Sequence, residues 1–79
     1  MIDYSPFWMT LQNSKESTYT LINEHKISGS TINRLRKNEP ISTVTINDLC
    51  TILNCTVQDI AQYIITEEDK ERIKKRKDQ

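Results

Sequence analysis

The sequence predicts an all-α fold, a compact bundle of five short helices. The chain has 79 residues, of which 35% are hydrophobic, and this is enough for one small domain with a modest core. Apolar residues recur at spacings of three and four, as they do on one face of an α-helix. Residues that begin helices precede most of these apolar runs, so both the number of helices and their starts are predictable.

Helix one begins at Ser5-Pro6, because proline at the first helical position lacks only a donor that would be unpaired anyway. Its apolar side chains are Phe7, Trp8 and Leu11, and we expect the tryptophan to be part of the core. A connecting loop is expected over 13–16.

Two further helices flank a break at residues 24–27. Helix two is expected from Ser17 to about His25, with Leu21 and Ile22 facing inward. Helix three is expected from Ser28 to about Asn38, with Ile32 and Leu35 on its buried face. Two short amphipathic helices around such a break predict a helix-turn-helix over 17–37.

Helices four and five complete the predicted bundle. Pro40 ends helix three, and Ser42 or Thr43 caps helix four, whose buried stripe is formed by Ile46, Leu49, Cys50 and Leu53. Thr56 and Asp59 resemble a capping box. We expect them to begin helix five, with its apolar face formed by Val57, Ile60, Tyr63 and Ile64.

The composition changes at Thr66, and eleven of the next thirteen residues are charged. Acidic residues come first and basic residues later, an order that suits a sixth helix capped by Thr66. The domain is therefore predicted over 1–65 and a charged C-terminal extension over 66–79. This extension is either a solvated helix or a basic arm that grips phosphates.

The outer face of helix three is the candidate binding surface. With about 100° between successive residues, Ser30, Asn33, Arg34 and Lys37 project opposite the buried side. Arginine can pair with a guanine edge and asparagine with an adenine edge, so these residue types suit duplex DNA. Gly29 would let the backbone approach a phosphate closely. The alternative is an ordinary solvated helix face.

Charge and composition exclude several other functions. The formal net charge is zero, which argues against indiscriminate coating of nucleic acid, yet three basic residues lie within 34–37. Cys50 and Cys55 lack the further ligands of a zinc site, and we expect both to be packing residues. His25 has no catalytic partner, so an enzyme is not expected, and no cofactor or metal is implied. The chain has no membrane span or secretory signal, which suggests a cytoplasmic protein.

Three segments in order resemble the Cro and lambda-repressor class of helix-turn-helix regulators, also called the xenobiotic response element family. They are YSPFWMTL (4–11), ISGSTINRLRKNEPIS (27–42) and LCTILNC (49–55), and the likeness covers 4–65. The chain is most similar to the short stand-alone members of Gram-positive bacteria and phages. The resemblance implies a homodimer on a two-fold-related operator, with 28–37 as the recognition helix.

The resemblance also assigns contacts to positions of this chain. It places base contacts at Gly29, Ser30, Asn33 and Arg34. It places phosphate contacts at the start of helix two and beyond the recognition helix, and these are Thr18, Tyr19, Lys37, Asn38 and Ser42.

Two residues depart from the family pattern. The family has a small residue at the position of Ile22, where the helices cross, so a larger side chain must be accommodated here. It has glycine at the turn position of Lys26, because the backbone there favours positive φ. A lysine at that position predicts either a different turn or one strained by about 1 kcal/mol.

Two functions therefore follow from the sequence. The first is a transcriptional regulator, a repressor in the leading interpretation, that binds operator DNA as a dimer through Tyr63, Ile64 and Ile65. These three residues could equally be plain core at the end of helix five. The second is a protein-binding module of the same fold, such as an antitoxin-like or phage-encoded partner protein.

Overall fold

A computed structural model describes residues 1–77. It contains five α-helices, one 3-10 helix and a two-stranded antiparallel sheet. The helices are α1 (Ser5–Gln12), α2 (Thr18–Asn23), α3 (Gly29–Arg36), α4 (Thr43–Leu53) and α5 (Glu67–Lys77). The 3-10 helix is Val57–Asp59, and the strands are β1 (Ile2–Asp3) and β2 (Gln62–Tyr63). The predicted all-α class is confirmed, with a small sheet in addition.

The helix expected after Thr56 is the main difference from the prediction. The Asp59 carboxylate accepts hydrogen bonds from the Thr56 N–H and hydroxyl, both at 3.1 Å, so the predicted capping contact exists. It begins only the 3-10 helix, because the chain then pairs with β1, Ile2 opposite Tyr63. The β-branched residues Ile64 and Ile65 also favour extended backbone. The fifth α-helix is instead the C-terminal segment.

Serine hydroxyls cap the three central helices, as predicted. Ser17 accepts from the Thr20 N–H at 3.2 Å, and Ser28 and Ser42 accept from the N–H three residues on, each at 3.1 Å. In α2 the Thr20 hydroxyl also accepts from the Ser17 N–H at 2.8 Å, which completes a reciprocal capping box. These local bonds determine where the two helices of the helix-turn-helix begin.

The core lies between α1, α2, α3, α4 and the 3-10 helix. Its buried apolar residues are Tyr4, Phe7, Leu11, Leu21, Ile27, Ile32, Leu35, Leu49 and Ile60. Trp8 lies at the edge of this core, with its ring edge-on to Phe7 at 4.8 Å between centroids. The expectation that Ile22 faces inward with Leu21 is wrong: Leu21 is fully buried, whereas Ile22 is 36% exposed, so the larger side chain need not fit into the core.

The two cysteines are half-buried free thiols that pack against the core. Burial, with a further contribution from Cys50, raises the pKa of the Cys55 thiol to about 11. At neutral pH the Cys55 sulfur is therefore a protonated packing group.

The turn between α2 and α3 contains the strained residue that the sequence suggested. Lys26 has a φ of 62°, in the left-handed region. Asn38 and Asn54 also have positive φ, but asparagine tolerates this conformation better than lysine does. The Lys26 ammonium donates to the Asn23 carbonyl at 3.0 Å and so satisfies an acceptor at the end of α2.

The predicted C-terminal helix forms α5. The Thr66 hydroxyl accepts from the Asp69 N–H at 3.2 Å and donates to the Asp69 carboxylate at 2.8 Å. α5 has no buried residue, and the described chain is elongated, 48 × 21 × 18 Å. No helix within residues 1–77 is long and apolar enough to cross a membrane.

Candidate nucleic-acid interface

The two faces of α3 differ as the helical period predicts. Ile32 and Leu35 are buried against the rest of the core. Ser30, Asn33, Arg34 and Lys37 are all exposed. The structure therefore brings the four outward residues together on one surface, opposite the side that attaches the helix to the domain.

Arg34 carries an uncompensated charge on this surface. The ion pairs within residues 1–77 join the Met1 ammonium to Asp69, His25 to Glu16, Lys70 to Glu67 and Arg72 to Asp69. None of them involves α3 or the residue that follows it. The guanidinium of Arg34 is thus available to an anion or a base edge.

Arg36 lies on the flank of the helix rather than on the outer face. Its guanidinium carbon is 5.6 Å from the centroid of the Trp8 ring, which is a cation–π distance. Of the three basic side chains in the 34–37 window, two therefore point outward. The local sequence could not reveal this contact, because its partner belongs to α1.

The beginning of α3 is open to close approach. A Cβ added to Gly29 would meet no atom within 4 Å. The Ser28 hydroxyl accepts from the Thr31 N–H, and the N–H groups of Gly29 and Ser30 have no acceptor in the described chain. Such free donors at the positive end of a helix suit a phosphate.

The five predicted phosphate contacts fall into two groups. Thr18 and Tyr19 lie in the first turn of α2, where Tyr19 is 70% exposed, and Lys37 is exposed at the end of α3. Asn38 and Ser42 already have partners: the Asn38 side-chain oxygen accepts from the Tyr4 N–H at 2.9 Å, and Ser42 caps α4. The cap at Ser42 was predicted from the sequence, whereas the role of Asn38 was not, because its partner Tyr4 lies 34 residues away.

The loop that follows α3 is fixed to the N-terminal segment. Besides the Asn38 bond, the buried Tyr4 hydroxyl donates to the Glu39 carbonyl at 2.9 Å. Burial raises the pKa of Tyr4. Hydrogen bonds from Gln62 and Ser5, with a smaller one from Asn38, lower the pKa of Asp3. These hydrogen bonds hold the loop after α3 against the N-terminal segment.

His25 interacts with a carboxylate at the beginning of the motif. Its Nε2 lies 3.1 Å from the Glu16 carboxylate. The Thr20 hydroxyl and then His25 lower the pKa of Glu16. This His–Glu pair links the two ends of α2. No group of three or more His, Cys, Asp and Glu residues within 1–77 could hold a metal ion.

Tyr63, Ile64 and Ile65 are not core residues. They are 63%, 37% and 67% exposed, which excludes the interpretation of these residues as the inner face of a fifth helix. They are exposed apolar side chains at the end of β2 and in the segment after it.

A comparison with protein families matches residues 7–65 to the Cro/C1-type HTH DNA-binding domain. No curated protein and no solved structure gave a match. The matched range contains the whole helix-turn-helix, and the matched class is a DNA-binding domain rather than a class of enzyme. The expected resemblance is thereby confirmed, and the chain belongs to the Cro/C1-type helix-turn-helix family of DNA-binding domains.

Proposed function

We propose that this DNA-binding regulator is a repressor that binds a two-fold-related operator as a dimer. The observation that carries the proposal is the outer face of α3, which presents an unpaired arginine together with Ser30 and Asn33. A helix is the element that fits the major groove, and its outward side chains meet the base edges. Occupying an operator in this way blocks access of the polymerase.

Within this proposal Arg34 is the principal reader of sequence. Its guanidinium pairs with the two acceptors of a guanine, and Asn33 pairs with an adenine. Ser30 and the backbone at Gly29 make the remaining contacts. Since Gly29 has no side chain, specificity depends on few residues, and Arg34 contributes the largest share.

Phosphate contacts on both sides of the recognition helix orient it in the groove. Thr18 and Tyr19 contact phosphates from the beginning of α2, and Lys37 contributes a positive charge at the end of α3. Asn38 and Ser42 contribute through the backbone of their loop, since their side chains are already hydrogen-bonded. These contacts determine affinity and register rather than sequence preference.

The exposed surface of Tyr63, Ile64 and Ile65 supplies the dimer contact. A two-fold dimer buries the same patch of both copies, and these residues form an apolar surface that a second copy can cover. The two recognition helices would then read half-sites about 34 Å apart.

The experiment is the selection of bound duplexes from a random pool at fixed salt, about 150 mM, because phosphate contacts dominate raw affinity. Wild type, Arg34→Ala and Arg76→Ala are compared. The last variant removes an arginine of the same charge from α5. We expect a two-fold-symmetric motif for wild type and Arg76→Ala. For Arg34→Ala we expect the preference at one base pair per half-site to relax by about 1–3 kcal/mol.

A different result would favour the second function. If folded wild type enriches no motif, Arg34 does not read bases, and the protein-binding module becomes the better hypothesis. The same apolar surface would then bind another protein, and changing Tyr63 or Ile65 to a polar residue would abolish that binding. An asymmetric motif of one half-site would contradict the dimer but retain the role of Arg34.

A further inference from the structure

α5 carries three lysines in a row on one side. Lys70, Lys74 and Lys77 are spaced by four and three residues, so their side chains lie above one another along the helix. Together with Tyr63, Asp69 and Ile73 they line a groove of about 390 Å³ between α5 and β2. We call these three residues the lysine row.

Two of the three lysines in the row have no ion-pair partner among the described residues. Lys70 lies 3.4 Å from Glu67, whereas Lys74 and Lys77 have no ion-pair partner within residues 1–77. Arg72, which pairs with Asp69 at 3.2 Å, and Lys75 and Arg76 project from other sides of the helix. One side of α5 therefore carries three lysines, and the only described acidic residue that lines their groove, Asp69, is already paired with the Met1 ammonium and Arg72.

α5 begins close to the loop that follows α3. A second groove, of about 580 Å³, is lined by Asn38 and Pro40 from that loop, by Tyr63 of β2 and by Asp69 from the first turn of α5. Tyr63 and Asp69 line both grooves, so the groove of the lysine row adjoins the one that reaches the loop in which phosphate contacts are proposed. An eleven-residue helix reaches about 16 Å further, roughly half a turn of duplex.

We propose that the lysine row of α5 binds the phosphate backbone of duplex DNA outside the base pairs read by α3. The proposal rests on the DNA-binding function and extends its contact surface. Six of the eleven basic residues of the chain lie in α5, while the chain as a whole is neutral. A helix without buried residues, whose basic end is remote from its acidic first turn, fits an elongated polyanion.

The test compares two triple variants of equal charge. K70A/K74A/K77A removes the lysine row, and R72A/K75A/R76A removes three basic residues from the other sides of the same helix. Alanine favours the helix, and neither variant changes the core, so both proteins should fold. The measurement is the slope of log affinity against log salt for one duplex with extended flanks.

Three phosphate contacts predict, for each bound protomer of K70A/K74A/K77A, a slope shallower by about 2.7, which is about 5.4 for a bound dimer. Between 50 and 200 mM salt the change per protomer corresponds to an affinity loss about 40-fold smaller than that of wild type. The control triple variant should change the slope by less than about one unit. On a duplex without these flanks, wild type should show the same shallow slope that K70A/K74A/K77A shows on the extended duplex.

The same comparison on a duplex of unrelated sequence separates this proposal from the proposed reading by α3. Phosphate contacts do not depend on sequence, so the slope difference should persist there even if Arg34 reads no base. Equal slopes for the two triple variants, or no change in either, would overturn the proposal. A K70A/K74A/K77A protein that loses the enriched motif would also overturn it, because the row would then act on base reading.

Discussion

Replacing Lys26 by glycine tests whether the turn of the helix-turn-helix stores backbone strain. The left-handed conformation at φ 62° costs a residue with a Cβ about 1–2 kcal/mol, and glycine avoids this cost. Glycine in turn adds roughly 0.4–1 kcal/mol of entropy to the unfolded chain. It also loses the bond from the Lys26 ammonium to the Asn23 carbonyl, an exposed contact of a few tenths of a kcal/mol. The expected net gain in the free energy of unfolding is about 0.5 kcal/mol.

Lys26→Ala is the matched control, since it removes the ammonium but retains the Cβ. Because neither variant has the Asn23 contact, the difference between their free energies of unfolding reports the effect of the backbone conformation alone. We expect Lys26→Gly to be more stable than Lys26→Ala by about 1 kcal/mol, which is about 4–8 °C in Tm for a domain of this size. Urea unfolding followed by the fluorescence of Trp8, the single tryptophan, measures it.

Glycine and alanine variants of equal stability would refute the strain argument. The turn would then relax in solution to a conformation that any residue adopts. The sequence motif selected by Lys26→Gly should match that of wild type, because the substitution touches neither face of α3.

Three further predictions concern the thiols, the His–Glu pair and the N-terminal segment. The pKa of Cys55 is raised from 9.0 to about 11, so its alkylation at pH 8 should be about 100-fold slower in the folded protein than in urea. Mass analysis of the alkylated peptides measures both rates, and equal rates would contradict the raised pKa. The lowered pKa of Glu16 means that its contribution to stability is complete above the unfolded pKa, about 4.3, and is lost as pH falls through the lower folded pKa. Glu16→Gln should therefore flatten the dependence of stability on pH in that acid range, and an unchanged dependence there would contradict the lowered pKa. Tyr4→Phe should destabilise the domain by about 1 kcal/mol, because the Glu39 carbonyl loses its donor; an unchanged urea midpoint would show that water replaces it.

The first four helices were predictable because their signals are local. A serine cap and an apolar residue every three or four positions lie within one helix, and Ser17, Ser28 and Ser42 cap as expected. The structure of the segment after Thr56 was not predictable in this way. Its local capping pattern is correct, but Tyr63 pairs with Ile2 at the other end of the described chain. Local periodicity contains no information about such pairing.

In the candidate site, too, local features were predictable from the sequence and tertiary contacts were not. The exposure of Ser30, Asn33 and Arg34 follows from the helical period alone. The hydrogen bond of Asn38 to Tyr4, 34 residues away, depends on tertiary contacts, as does the stacking of Arg36 on Trp8. The sequence therefore indicated which surface faces outward, but not which of its neighbours are already engaged inside the protein.

If the proposed function holds, the open space around Gly29 makes the operator preference adjustable independently of the fold. Any side chain there would point into solvent or into a bound groove without displacing an atom of the domain. Replacing this glycine within a helix should even stabilise the chain, by roughly 0.5–1 kcal/mol. A set of variants at this one position could thus acquire new target sequences step by step, each intermediate remaining folded, so that related regulators could diverge without a loss of stability.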